Sequence, residues 1–331
     1  MTASWKWQIG LHLVVFGRLS SVCSAAEHYV FDVFDQERGL GNSTVTRLAR
    51  DRQGALWVGT ENGLYRYDGH RFLGFSTNDG LPGNKITALH ESPDGTLWVG
   101  TLEGLAWRQG AGFRKSTNAA LNGYIASQGI ASDTTGRVYI ATIKGLAVTS
   151  VPPPGKDLQV SFLPWPDGIP PRSSNVYVPS PDEVWFGCDI AICRWNGQDV
   201  RVWGRDAGVP PYHWDFFLKD KSGNLWARNR EHFIELPAGM NRFQPIGPDL
   251  PGPISIPPEL AMDDKGRILV PSNRGLVIGG PDGWRRITGK QGLPENYITA
   301  TLQDSEGSMW LGTYASGWCV GPVMADGRAL P

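Results

Sequence analysis

Asp51-Arg52-Gln53-Gly54-Ala55-Leu56-Trp57-Val58-Gly59-Thr60 returns 41 positions later as Ser92-Pro93-Asp94-Gly95-Thr96-Leu97-Trp98-Val99-Gly100-Thr101. Asp133-Thr134-Thr135-Gly136-Arg137-Val138-Tyr139-Ile140-Ala141-Thr142 keeps the same spacing, with Tyr139 at the central aromatic position. Further centres fall at Trp185, Trp226, Leu269 and Trp310, at intervals of 46, 41, 43 and 41 residues. Three copies in one register exceed a coincidence of composition, and the full series has seven members. A fixed period of this length marks small units that bury their faces only by stacking on neighbours.

The first unit divides into four short strands. Residues 45–48 predict an inner strand, 56–59 a second, 64–67 a third and 71–75 an outer one. The turn signals between them are Asp51 with Gly54, Glu61-Asn62-Gly63, and Asp68-Gly69. Asp and Asn accept hydrogen bonds from nearby backbone N–H groups, and Gly tolerates positive φ. Aromatics at the centre of each second strand suit the layer between twisted sheets. The predicted fold is therefore all-β: a seven-bladed β-propeller with four-stranded blades. The seventh unit lacks a comparable outer strand, while residues 29–34 (Tyr-Val-Phe-Asp-Val-Phe) alternate as a strand does. That N-terminal strand is expected to close the last blade, which removes two exposed sheet edges.

Gly80-Leu81-Pro82-Gly83-Asn84-Lys85-Ile86-Thr87-Ala88-Leu89, followed by residues 94–101 and Gly104-Leu105, closely resembles the propeller units of periplasmic sensor regions in bacterial two-component regulators. Residues 39–64 match nearly as well, and Gly292-Leu293-Pro294-Glu295-Asn296 with residues 304–313 recover the pattern near the end. The middle units depart from it at Gly187-Cys188 and Ala227-Arg228, and Leu269 replaces the aromatic. The resemblance implies ligand sensing outside the cytoplasm, coupled in family members to histidine kinase or diguanylate cyclase output regions. A signalling output subunit, or an output domain encoded elsewhere, is the partner it implies.

The 331 residues carry 31 Lys plus Arg and 32 Asp plus Glu, a formal charge of −1, which argues against a nucleic-acid partner held by phosphate neutralisation. Lys6, the apolar run 9–16 and the small residues Ser24-Ala25-Ala26 read as a cleaved export signal over residues 1–26. The propeller is then expected over 27–323, with 324–331 as a tail or the start of a linker, in a periplasmic or otherwise extracytoplasmic location. Cys188 and Cys193 flank a short turn; two buried thiols are the ordinary expectation and a disulfide the alternative. No C-x-x-C pair is present, so neither a metal nor another cofactor is expected.

In a propeller the loops leading into each blade share a face with the turns between second and third strands. Asn42, Asn84 and Asn296 fall there, either as ligand contacts or as turn-formers. The irregular units add Tyr124, Tyr177, His213, Trp214, Arg228, Arg230, His232, Arg274 and Tyr297 as candidate ligand-binding residues. Tyr and Trp offer stacking faces, and Arg pairs with carboxylate or phosphate. A small molecule or an oligosaccharide is the expected ligand, and homodimerisation is left open. No triad or paired carboxylate site is legible, so the chain is expected not to be an enzyme. An extracytoplasmic lyase or hydrolase and a protein-interaction scaffold stand as the alternatives.

Overall fold

Seven four-stranded antiparallel sheets stand around one axis, and in six of them the strands follow chain order from the inside outwards. The computed structural model describes residues 28–153, 155–245, 259–280, 283–304 and 306–321. The expected export signal and the C-terminal tail lie outside the described residues. Blades 1 to 6 span 45–75, 86–115, 130–162, 173–203, 216–245 and 261–287. Blade 7 combines 298–321 with the N-terminal strand Asp32–Phe34, which pairs antiparallel with Trp318–Gly321. Phe34 stacks on Trp318 at 4.1 Å, so the closing strand is fixed by ring packing as well as by its ladder.

The repeated decapeptide works at three levels. Asp51 Oδ1 accepts from the backbone N–H groups of Gln53 and Ala55 and closes the tight turn. Its Oδ2 accepts from Trp57 Nε1 at 2.9 Å, so the turn acid also satisfies the buried indole of the strand that follows. The same six-residue link joins Tyr139 to Asp133, Trp226 to Asp220 and Trp310 to Asp304; Ser92 serves Trp98. Blade 6 lacks the aromatic, and there Arg267 Nε donates to Asp263, as Arg137 Nε does to Asp133 in blade 3 beside Tyr139. A buried acceptor left unpaired is costly, and the arginine keeps the blade 6 acid satisfied where the aromatic is missing.

Gly59 has a separate purpose. A Cβ there would stand 2.7 Å from Ile86 of the next blade, and Gly312 approaches Val45 at 2.6 Å in the same way. The glycine after Trp-Val or Trp-Leu lets the second strand of one blade approach the inner strand of the next, including across the closure between blades 7 and 1.

Inner strands are further stitched by hydroxyls. Thr299 donates to Val45 O (2.6 Å), Thr46 to Ile86 O (2.7 Å), Thr87 to Ile125 O (2.5 Å) and Ser174 to Trp214 O (2.7 Å). Each of the three threonines sits where the ladder register shifts, so a bulge turns its side chain towards the next blade.

Cys188 and Cys193 form a disulfide across the hairpin of blade 4, with Cα atoms 5.8 Å apart, which corrects the expectation of two thiols. Their hairpin holds the two cysteines within bridging distance. Cys319 is a buried free thiol, and burial pushes its pKa up to about 12. Among the described residues no helix is long and apolar enough to cross a membrane.

Candidate functional site

The regular blades lock their lead-in loops internally. Asn84 Oδ1 accepts from Thr77 N, and its carbonyl accepts from Gly63 N of the previous blade at 2.7 Å. Asn296 repeats both bonds with Gly289 and Gly275, while Asn42 Oδ1 accepts from Thr44 N. The three carboxamide oxygens serve turn geometry, and the backbone carbonyls of Asn84 and Asn296 also latch neighbouring blades.

Blades 3, 4 and 5 lack those latches, and a cavity of ≈ 470 Å³ opens between their loops. Tyr124 and Ala126 line it from the segment leading into blade 3, and Ile143 from that blade's turn between second and third strands. Arg172, Ser173 and Ser174 contribute from the start of blade 4. Tyr212, His213 and Asp215 precede or lead into blade 5, whose turn adds Asn229, Arg230 and Glu231. Ile143 is 66% exposed, Tyr124 48% and Tyr212 40%, an unusual grouping of large apolar surfaces around one opening.

The wall is built to hold its shape. His213 Nδ1 donates to Asp189 O at 2.8 Å, because a carbonyl can only accept. Tyr212 packs on the His232 ring at 4.6 Å, with Trp214 behind it. Asn229 Oδ1 receives the backbone N–H groups of Glu231 and His232, leaving its buried Nδ2 without a partner.

Buried charge converges on the axis beside this cavity. Arg47 of blade 1 lies over the Phe216 ring of blade 5 at 5.5 Å and donates to Thr46 O. Arg228 Nη1 donates to Pro271 O at 2.6 Å. Burial lowers the pKa of both arginines, Arg228 to about 9, with Asp215 opposing the shift in each case. Glu259 is pushed up by burial, against the pull of Arg47. Gln128 spans the axis as well. Its side-chain amide receives Phe217 N–H (2.7 Å) and donates to Phe217 O (3.0 Å), while its carbonyl accepts from Val176 N. One residue thus ties blades 3, 4 and 5 together.

Asp215 has the most unusual environment. Among the described residues its carboxyl makes no hydrogen bond, although its backbone N–H donates to Arg228 O. Burial raises its pKa to about 6, against the opposing pull of Arg230, Arg47, Arg228 and His213. A perturbed acid in a concave site is a recognised signature of function.

Of the residues expected from sequence, the structure brings Tyr124, His213 and Arg230 to the cavity, with His232 supporting Tyr212 from behind. It does not bring the others there. Trp214 is fully buried between blades, and Arg228 is buried at the axis. Tyr177 packs in the same core, its hydroxyl accepting from Lys219 N. Arg274 sits in the turn of blade 6, and Tyr297 stacks on Tyr314 of blade 7 at 4.9 Å. Sequence reasoning misses Ile143, Arg172, Tyr212, Asp215 and Glu231. The signal that points to them is the loss of Gly-Leu-Pro-x-Asn before blades 3, 4 and 5, where Pro170-Pro171 and Pro210-Pro211 stand instead.

A family model for the two component regulator propeller matches residues 39–62, 80–103 and 292–315, the regular blades. A histidine kinase P4 from Formosa agariphila is 35% identical over 72 residues, 21% of this chain and 5% of that protein. An extracellular domain from B. thetaiotaomicron, assigned to the hybrid two component system BT3049, superposes with TM-score 0.72 at 17% identity. That match covers 88% of this chain and 42% of the other, so the chain spans well under half the length of these relatives. Virginiamycin B lyase from Staphylococcus aureus superposes with TM-score 0.69 at 13% identity, over 90% of this chain and all of its own. The lyase corrects the expectation that the chain is not an enzyme, because the same fold at the same extent carries catalysis there. The two-component relatives are extracellular domains, in agreement with an extracytoplasmic location, which the disulfide also suits. The chain is a seven-bladed propeller resembling the extracytoplasmic sensor propellers of two-component regulators, on a fold shared with lyases.

Proposed function

We propose that this chain is an extracytoplasmic ligand-binding sensor module whose ligand occupies the cavity over blades 3–5. One observation carries the proposal: the loops of three blades that depart from the repeat converge on a cavity lined by exposed aromatic side chains and by Arg172 and Arg230, whose guanidinium groups make no ion pair among the described residues. Repetition alone would build a closed ring without them. A ligand there would touch three blades that Gln128 already ties at the axis, and would favour whichever blade arrangement binds it better. A signalling output partner is proposed on the likeness to two-component sensors.

The test is a thermal-shift screen of the full chain against periplasmic extract, oligosaccharides and organic acids, with calorimetry on each hit. Saturable stabilisation that Tyr212→Ala abolishes supports the proposal. Stabilisation unaffected by substitutions at Tyr124, Arg172 and Tyr212 refutes the site. A second function is favoured by Asp215, an acid of raised pKa in the same cavity, on a fold that also carries lyase activity. Mass spectrometry of every hit after incubation decides between them: an intact ligand supports sensing, and a converted one supports catalysis.

A further inference from the structure

The cavity's charge is unequal. Arg172 and Arg230 line it, and among the described residues neither guanidinium makes an ion pair or a side-chain hydrogen bond. Arg47 and Arg228 stand behind it, both buried, each with an Nε that has no partner among the described residues. Against these four guanidinium groups stand three carboxyls, Asp215, Glu231 and Glu259. Burial raises the pKa of two of the three, Asp215 to about 6 and Glu259 upwards. The remaining lining is apolar and flat, from Tyr124, Tyr212 and Ile143.

We propose that the cavity takes a small organic anion with a flat apolar body, its carboxylate held by Arg172 and Arg230 beside the Asp215 carboxyl. This rests on the cavity being the ligand site and adds the ligand's class. A neutral sugar would leave unpaired guanidinium groups against its hydroxyls, and a cation would meet net positive charge. An anion instead gains charge-assisted hydrogen bonds in a site already partly withdrawn from water. Below its titration the Asp215 carboxyl carries a proton that it can donate to a carboxylate.

The proposal carries a pH dependence of fixed sign. Asp215 is faced by Arg230 from the blade 5 turn, Arg228 from the second strand of blade 5, Arg47 from blade 1 and His213 from its own segment. Glu259 and Tyr124 face Arg47 in turn, and Glu231 lines the same cavity. An anionic ligand favours the protonated acid, so affinity is greatest below the Asp215 titration and falls as pH rises through it.

Three probes sharing one indole body test the assignment on the full chain by calorimetry: indole-3-acetate, indole-3-acetamide and tryptamine. At about pH 5.5 the acetate is expected to bind roughly tenfold tighter than the amide, with tryptamine weakest, and its lead narrows by about pH 8. Arg172→Gln should weaken the acetate about tenfold and the amide less than about threefold, a charge-selective loss that a folding defect would not give. Asp215→Asn should keep acetate binding and flatten its pH dependence. If the amide or tryptamine binds as tightly as the acetate, the anion assignment is overturned while the cavity remains a ligand site. A neutral oligosaccharide that saturates where the acetate does not overturns the anion assignment in the same way. If none of these four compounds saturates, the anion assignment is overturned, and the cavity site is decided separately by the screen with substitutions at Tyr124, Arg172 and Tyr212.

Discussion

Replacing Asp215 by Asn should stabilise the chain above neutral pH and leave it unchanged in acid. The carboxyl has a pKa of about 6 in the folded chain, and a value near 3.9 is usual for an unfolded one. A raised acid pKa means that folding favours the protonated form. Below about pH 4 the group is neutral in both states and contributes nothing to the pH dependence. Between about pH 4 and 6 stability declines, and above that range the full cost of the buried carboxylate is present. A difference of about two pKa units at 1.36 kcal/mol each gives about 3 kcal/mol. The attraction of Arg230, Arg47 and Arg228 is already contained in that net figure. Asparagine approximates the neutral acid in shape, so it should recover most of the roughly 3 kcal/mol at pH 8, about 5 °C for a chain of this length. The assay is equilibrium urea unfolding of both proteins from pH 4 to 8. A stability difference that does not vary with pH, or a variant less stable than wild type at pH 8, would refute the assignment of Asp215 as a strained functional acid.

Two further substitutions probe the framework. Trp226→Phe removes the donor to Asp220 Oδ2 while keeping most of the ring packing, and should cost about 1–2 kcal/mol in urea unfolding without altering ligand affinity. Cys188→Ser with Cys193→Ser opens a short loop, and the double variant should lose about 2 kcal/mol, read as a midpoint lower by about 3 °C. Wild type treated with reductant should show the same shift.

How much of the molecule is legible in the sequence depends on whether a residue serves the repeat or departs from it. Each position of the Asp51–Thr60 pattern has a local physical task, so the period, the four strands per blade and the N-terminal closure can be read directly. The Trp57–Asp51 hydrogen bond is also present as a fixed six-residue spacing, repeated at Tyr139, Trp226 and Trp310, yet from sequence the aromatic series reads only as packing. In blade 6, where Leu269 has no donor, Arg267 alone of the two positions reaches the turn acid, whereas blade 3 uses both Arg137 and Tyr139. The cavity is less legible. Which neighbours face it is set by backbone alternation: Trp214 turns into the core while His213 and Asp215 line the opening. Sequence does not fix that phase where paired prolines interrupt the lead-in loops. Convergence on the axis of Arg47 from blade 1 and Asp215 from blade 5 depends on ring closure, which places residues far apart in sequence on a common centre.

Hydrogen exchange with and without a saturating ligand from the screen measures most directly where the ligand sits. Protection should rise at residues 124–128, 172–174, 212–217 and 228–232, with residues 80–84 and 292–296 of the regular blades unchanged. Protection confined to the groove at residues 201–208 and 240–245, between the outer strands of blades 4 and 5, would contradict a ligand seated over blades 3–5.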